Sequence, residues 1–136
     1  MKESKNAVLI VDDDADDRQI IQDAFLECNF GNGCVMLENG DKLIEYLHSS
    51  VDSLPSLIML DLNMPGKDGR AALKEIKSDR VFQHIPIIVF TTSSGQKDRD
   101  ICYEFGANCF ITKPNSYNKL VGIVDSIAKL WIGGVV

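Results

Sequence analysis

What the chain lacks narrows the field first. Its four cysteines, Cys28, Cys34, Cys102 and Cys109, form no C-x-x-C pair and have no histidine at zinc-ligand spacing. They are read as small apolar side chains, buried and kept reduced. No run approaches the roughly 20 apolar residues that a membrane helix needs. The polar start Met1–Asn6 and the short apolar run Ala7–Val11 do not make a secretory signal, so the expected setting is cytoplasmic. Basic charge is in deficit, with 14 Lys and Arg against 20 Asp and Glu and a net charge of −6. Direct binding of nucleic acid, which needs clustered basic residues, is therefore not expected. Internal repeats, low-complexity tracts and long linkers are also missing.

What is present is an alternation of two apolar patterns. Short continuous runs occur at Ala7–Val11, Leu57–Leu60, Ile87–Phe90 and Cys109–Ile111, with a weaker one at Cys34–Leu37. Runs of this length, rich in Val and Ile, suit strands buried on both faces of a parallel sheet. Between them lie stripes at helical spacing: Ile20, Ile21, Ala24, Phe25 and Cys28; Leu43, Ile44 and Leu47; Ala72, Leu73 and Ile76; Ile101 and Phe105; and Leu120, Ile123, Val124, Ile127, Leu130 and Trp131. Gly106 stands where the fourth helix should stop, a place for a left-handed residue. Five strand–helix pairs predict a three-layer α/β sandwich with a five-stranded parallel sheet covered on both faces. The 136 residues are read as a single domain, residues 1–136, with its core over about 6–131 and a short apolar tail, 132–136.

Ligands of open α/β sheets bind beyond the carboxyl ends of the strands, and there the chain repeats itself chemically. Asp12 and Asp13 follow the first apolar run, Asp61 the third, Thr91 the fourth, and Lys113 then Pro114 the fifth. Carboxylates gathered at one edge repel each other, and a divalent cation among them relieves that repulsion. An oxygen-only donor set favours a hard ion such as magnesium. Lys113 adds a mobile positive charge and Thr91 a hydroxyl donor. A carboxylate beside metal and lysine is a suitable nucleophile for phosphoryl transfer. His48 and His84 lie away from the strand ends and are read as surface residues. Helix capping accounts for part of the run Asp12–Asp17, with Asp14 as the cap and Asp16 and Asp17 solvated. Capping does not account for Asp61 or Lys113.

The segments VLIVDDD, LIMLDLNMPGKDG, PIIVFTTSS and FITKP resemble the receiver domain of two-component response regulators over essentially the full chain. The resemblance implies a flavodoxin-like sheet of strand order 2-1-3-4-5, and a domain that catalyses only its own phosphorylation and dephosphorylation. It implies that Asp61 is the phosphoacceptor, with Lys113 and Thr91 assisting. It implies magnesium held by Asp13, Asp61 and the backbone carbonyl of Asn63, with Asp12 acting through water. Thr91 and Phe110 would form the switch, Phe110 moving inward on phosphorylation, and Lys113–Pro114 would carry a cis peptide bond. The phosphoryl donor would be a sensor histidine kinase or a phosphotransfer protein.

Two positions depart from the commonest receiver pattern. Thr92 follows the switch hydroxyl where a small residue is frequent, and Asn115 stands after the proline where an aromatic is common. The TTS stretch, the acidic first helix and the Gly106–Ala107–Asn108 turn are most similar to chemotaxis-regulator-like, stand-alone receivers paired with phytochrome-type kinases. With no output domain expected after the last helix, the signal would pass through a protein surface or a phosphorelay. Association with a second copy, as a homodimer, or with a kinase through the face of the fourth and fifth helices is expected, on the apolar character of the last helix and of Trp131, Ile132, Val135 and Val136. Two alternatives remain: a degenerate receiver that docks without phosphorylation, and a phosphohydrolase of the haloacid dehalogenase type. The second usually carries an acid two residues after its nucleophile, where this chain has Asn63.

Overall fold

The computed structural model describes residues 7–30 and 33–132. Five strands and five helices alternate along the chain: β1 Val8–Val11, α1 Ala15–Glu27, β2 Cys34–Leu37, α2 Gly40–His48, β3 Leu57–Leu60, α3 Gly69–Lys77, β4 Ile87–Thr91, α4 Gln96–Glu104, β5 Cys109–Thr112 and α5 Tyr117–Trp131. The strands are all parallel, in the order β2-β1-β3-β4-β5. This is the expected flavodoxin-like architecture.

Side chains alternate across the pleat, so each strand feeds two cores. Leu9, Val11, Ile58, Leu60, Ile87, Val89 and Phe110 pack with α2, α3 and α4 on one face. Val8, Ile10, Leu57, Met59, Ile88 and Phe90 pack with α1 and α5 on the other. The strands read as unbroken apolar runs because both faces are covered.

Helix starts and stops follow local chemistry. The carboxylate of Asp14 accepts from the N–H groups of Asp16 and Asp17 and caps α1, as expected. Asn39, Asp68 and Ser116 cap α2, α3 and α5 in the same way. α4 stops in a Schellman turn: Ala107 N–H donates to Cys102 O at 2.9 Å, Gly106 N–H donates to Tyr103 O at 3.1 Å, and Gly106 takes φ +106°.

Some inward assignments need correction. Ile20 is 43% exposed and Leu130 77%, because the buried lines of their helices run through Ile21, Ala24 and Phe25 and through Leu120, Val124 and Ile127. In α4 the fully buried residue is Cys102, with Ile101 and Phe105 half-buried beside it. Trp131 and Ile132 pack against the α1–α5 core rather than standing free; Val135 and Val136 lie outside the described residues. All four cysteines are free thiols, Cys102 buried and the others half-buried. No helix among the described residues is long and apolar enough to cross a membrane.

Candidate functional site

Strand register builds the site. Val11 of β1 pairs with Leu60 of β3, and Asp61 N–H donates to Val11 O at 3.0 Å. The residues after these two strands, Asp12 and Asp61, are thereby set side by side. They lie at the crevice between β1 and β3, where the order of strand addition reverses and α/β sheets bind their ligands. On the neighbouring pair, Thr91 stands opposite Thr112, and Lys113 N–H donates to Thr91 O at 2.8 Å. Lys113 therefore leaves the sheet at the same edge.

Burying polar groups is costly unless they are paired. Among the described residues, the buried polar or charged side chains are Asp12 at 2%, Asp61 at 7% and Thr91 at 0% exposure. All three sit at this one edge. Asp13 beside them is exposed. Asp12, Asp13 and Asp61 each place a carboxylate oxygen within 4.8 Å of the others. Such an all-oxygen trio fits a hard divalent cation.

Lys113 supplies positive charge to these carboxylates. Its Nζ donates to Asp12 Oδ2 at 2.6 Å and to Asp17 Oδ2 at 2.9 Å, and lies 3.8 Å from Asp61 Oδ2. Burial alone would lower the pKa of this ammonium, but the bonds to Asp12 and Asp17 and the charge of Asp61 leave it raised above its ordinary value. Burial pushes the Asp12 carboxyl up, against the lowering effect of the Lys113 bond. Asp12 is steadied further by Asp14 N–H, which donates to Oδ1 at 3.0 Å, and by the Arg18 guanidinium, which donates to its carbonyl at 2.6 Å. Asp61 Oδ1 accepts from Leu62 N–H at 2.9 Å, which fixes one carboxylate oxygen against the backbone.

Backbone approach at Gly69 completes the wall. Gly69 N–H donates to Leu62 O at 2.9 Å. A Cβ at this position would stand 2.2 Å from Asp61 O and 2.7 Å from Leu62 Cα. Only glycine lets α3 begin this close to the strand end that carries Asp61.

The fold brings Asp12, Asp13, Asp61, Thr91 and Lys113, the residues singled out at the strand ends, to one edge. Asn63 is exposed just beyond, and His48 and His84 are exposed residues outside the site. Phe110 is 5% exposed and lies inward already, with the Arg99 guanidinium 4.9 Å from its ring centroid. The expected cis bond at Lys113–Pro114 is not present, since no described peptide bond is cis. Trans is the favoured state of an X-Pro bond by about 0.5–1 kcal/mol, and Lys113 reaches Asp12 and Asp17 with the bond trans. Asp17, expected to be solvated, instead binds Lys113. The signal for it was its place in the first turn of α1, where side chains lean back toward the helix start.

The model of the response regulator receiver domain family matches residues 8–125. The chain belongs to that family. It is 32% identical over 129 residues to the response regulator Rcp1 of Synechocystis sp. (strain ATCC 27184 / PCC 6803 / Kazusa), covering 92% of this chain and 88% of the relative. The crystal structure of the phosphorylated cyanobacterial phytochrome response regulator RcpA matches with a TM-score of 0.88 and 34% identity, over 97% of both chains. The Mn2+-bound form of Rcp1 matches with a TM-score of 0.83 and 32% identity, over 96% of this chain and 97% of that one. The chain is thus a two-component signalling domain rather than a conventional enzyme, and its acidic trio has the donor set for a divalent cation.

Proposed function

We propose that this receiver takes a phosphoryl group on Asp61 from a phosphohistidine, with magnesium as the resident cation. The observation that carries the reading is the confinement of the buried polar side chains, Asp12, Asp61 and Thr91, to one sheet edge beside Lys113. In the transfer, an Asp61 carboxylate oxygen forms a bond to phosphorus as the phosphorus–nitrogen bond of the donor breaks, and the imidazole leaves with the bonding pair and takes up a proton. Asp13, Asp61 and the Asn63 carbonyl would hold the cation, with Asp12 acting through water, and the bound cation would supply positive charge against the phosphoryl oxygens. Lys113 supplies the rest from its ammonium. Thr91 offers a hydroxyl to the same oxygens, and with Phe110 under Arg99 it forms the switch.

The donor is a sensor histidine kinase or phosphotransfer protein, and the setting is cytoplasmic, in keeping with four free thiols. A phytochrome-type kinase is supported by the likeness to Rcp1 and RcpA. Self-association through the α4–α5 face is part of the same proposal, supported by exposed Tyr103 and Leu130. Sedimentation with and without beryllofluoride checks it. A monomer in both states at high concentration removes self-association and leaves the phosphoacceptor reading intact.

The phosphoacceptor test is mass measurement after incubation with magnesium and acetyl phosphate. Wild type gains one phosphoryl group and Asp61→Asn gains none. Labelling of the variant at an acid-stable Ser or Thr would overturn the assignment. Repeated turnover of phosphomonoesters would favour the phosphohydrolase alternative.

A further inference from the structure

Asp17 is a carboxylate that the chemistry above leaves without a task. It lies at the third helical position of α1, after the Asp14 cap, and stays 39% exposed while it bonds the 13% exposed Lys113 side chain. An ammonium has three N–H donors. Here one goes to Asp12 at 2.6 Å and one to Asp17 at 2.9 Å, while Asp61 Oδ2 stands off at 3.8 Å. That last separation is an ion pair without a hydrogen bond.

We propose that Asp17 is a positioning residue that holds the Lys113 ammonium off Asp61 in the unmodified domain. The contact itself is independent of the phosphoacceptor reading; its use for Asp61 chemistry rests on that reading. An ammonium in direct contact with Asp61 would compete with a cation for the same oxygens and repel the cation as well. Asp17 draws one of the donors aside and leaves Asp61 open. Without it, the ammonium keeps only the Asp12 bond of its three donors and loses the anion that draws it away from Asp61. The carboxylate within closest reach is Asp61, 3.8 Å away. The lysine then closes onto the acceptor and the metal site weakens. Asp16, on the same turn, is exposed and is not among the Lys113 partners. Its removal costs the same formal charge without freeing the lysine.

The test is Mn2+ binding to the full chain by electron paramagnetic titration, with no phosphoryl donor present. Failure of Asp61 labelling would therefore leave this result standing. Asp17→Ala, which leaves no side-chain acceptor for the lysine, should bind Mn2+ about three- to tenfold more weakly than wild type, within the range of coupling between neighbouring charges. Asp16→Ala should change it less than about twofold, as an exposed charge does. In a Lys113→Met background the Asp17→Ala penalty should vanish, because the residue acts only through the lysine. Equal penalties for Asp16→Ala and Asp17→Ala overturn the proposal, and so does a penalty that survives in Lys113→Met. Should Lys113→Met not fold, the Nζ resonance of Lys113 decides instead. It should shift in Asp17→Ala as the ammonium changes partner, and an unmoved resonance refutes the proposal.

Discussion

Asp12 and Asp13 are adjacent in the chain and opposite in circumstance. Asp12 is 2% exposed and bonded to Lys113 and to the N–H of Asp14. Asp13 is exposed and offers its oxygen to the acidic trio from the solvent side. The two substitutions should therefore separate binding from folding. Asp13→Asn removes a ligand and one charge of a repelling trio without opening the core, so its melting temperature without metal should equal or exceed that of wild type. A cation at about 100 times its dissociation constant should stabilise wild type by about 2.7 kcal/mol and Asp13→Asn by almost nothing. Calorimetry with and without magnesium checks this, and an equal rise in both proteins would remove Asp13 from the ligand set. Asp12→Asn should lower stability even without metal, since it weakens a pairing of the half-buried Lys113.

At the scale of elements, the site depends on how closely α3 approaches β3. Gly69→Ala would place a methyl carbon 2.2 Å from the Asp61 carbonyl oxygen. The obstacle is backbone, which cannot rotate away as a side chain can. Overpacking of this kind costs about 1–3 kcal/mol, and the strain falls on the peptide that carries the phosphoacceptor. Thermal melting should show the loss, and labelling by acetyl phosphate should slow with it. Gly122 on α5 is the contrasting case, with no atom within 4 Å of an added Cβ. Gly122→Ala should raise stability by about 0.5–1 kcal/mol, because alanine sacrifices less freedom on entering a helix. If both substitutions had the same sign, close approach at α3 would not be the reason for Gly69.

For the molecule as a whole, Cys102 reports on cooperative opening. It is fully buried against the α2–α4 core, and burial pushes its thiol up to about 11. Cys34 is pushed up to about 11 by burial as well. Thiolate is the reactive form, so both should alkylate slowly in the native state. At pH 8 Cys102 should react only through global unfolding, its rate rising with denaturant as stability falls. Rapid modification of Cys102 in the folded protein, followed by peptide mapping, would contradict the packing of α4.

The strands, the helices and the list of polar residues at strand ends were legible in the chain, because period 2, period 3.6 and capping are encoded within a few residues of each other. Strand order and the roles at the site came with the resemblance of four motifs to receiver domains. Tertiary structure alone decided the rest. Lys113 and Asp17 meet across 96 positions, and no local pattern records which carboxylate a lysine will choose. Ile20 reads as part of an apolar stripe, yet it is 43% exposed, since the docking angle of α1 is set by the sheet beneath it. Local sequence encodes what each segment can become, while the distances between charges at the site arise only when five strands share one register.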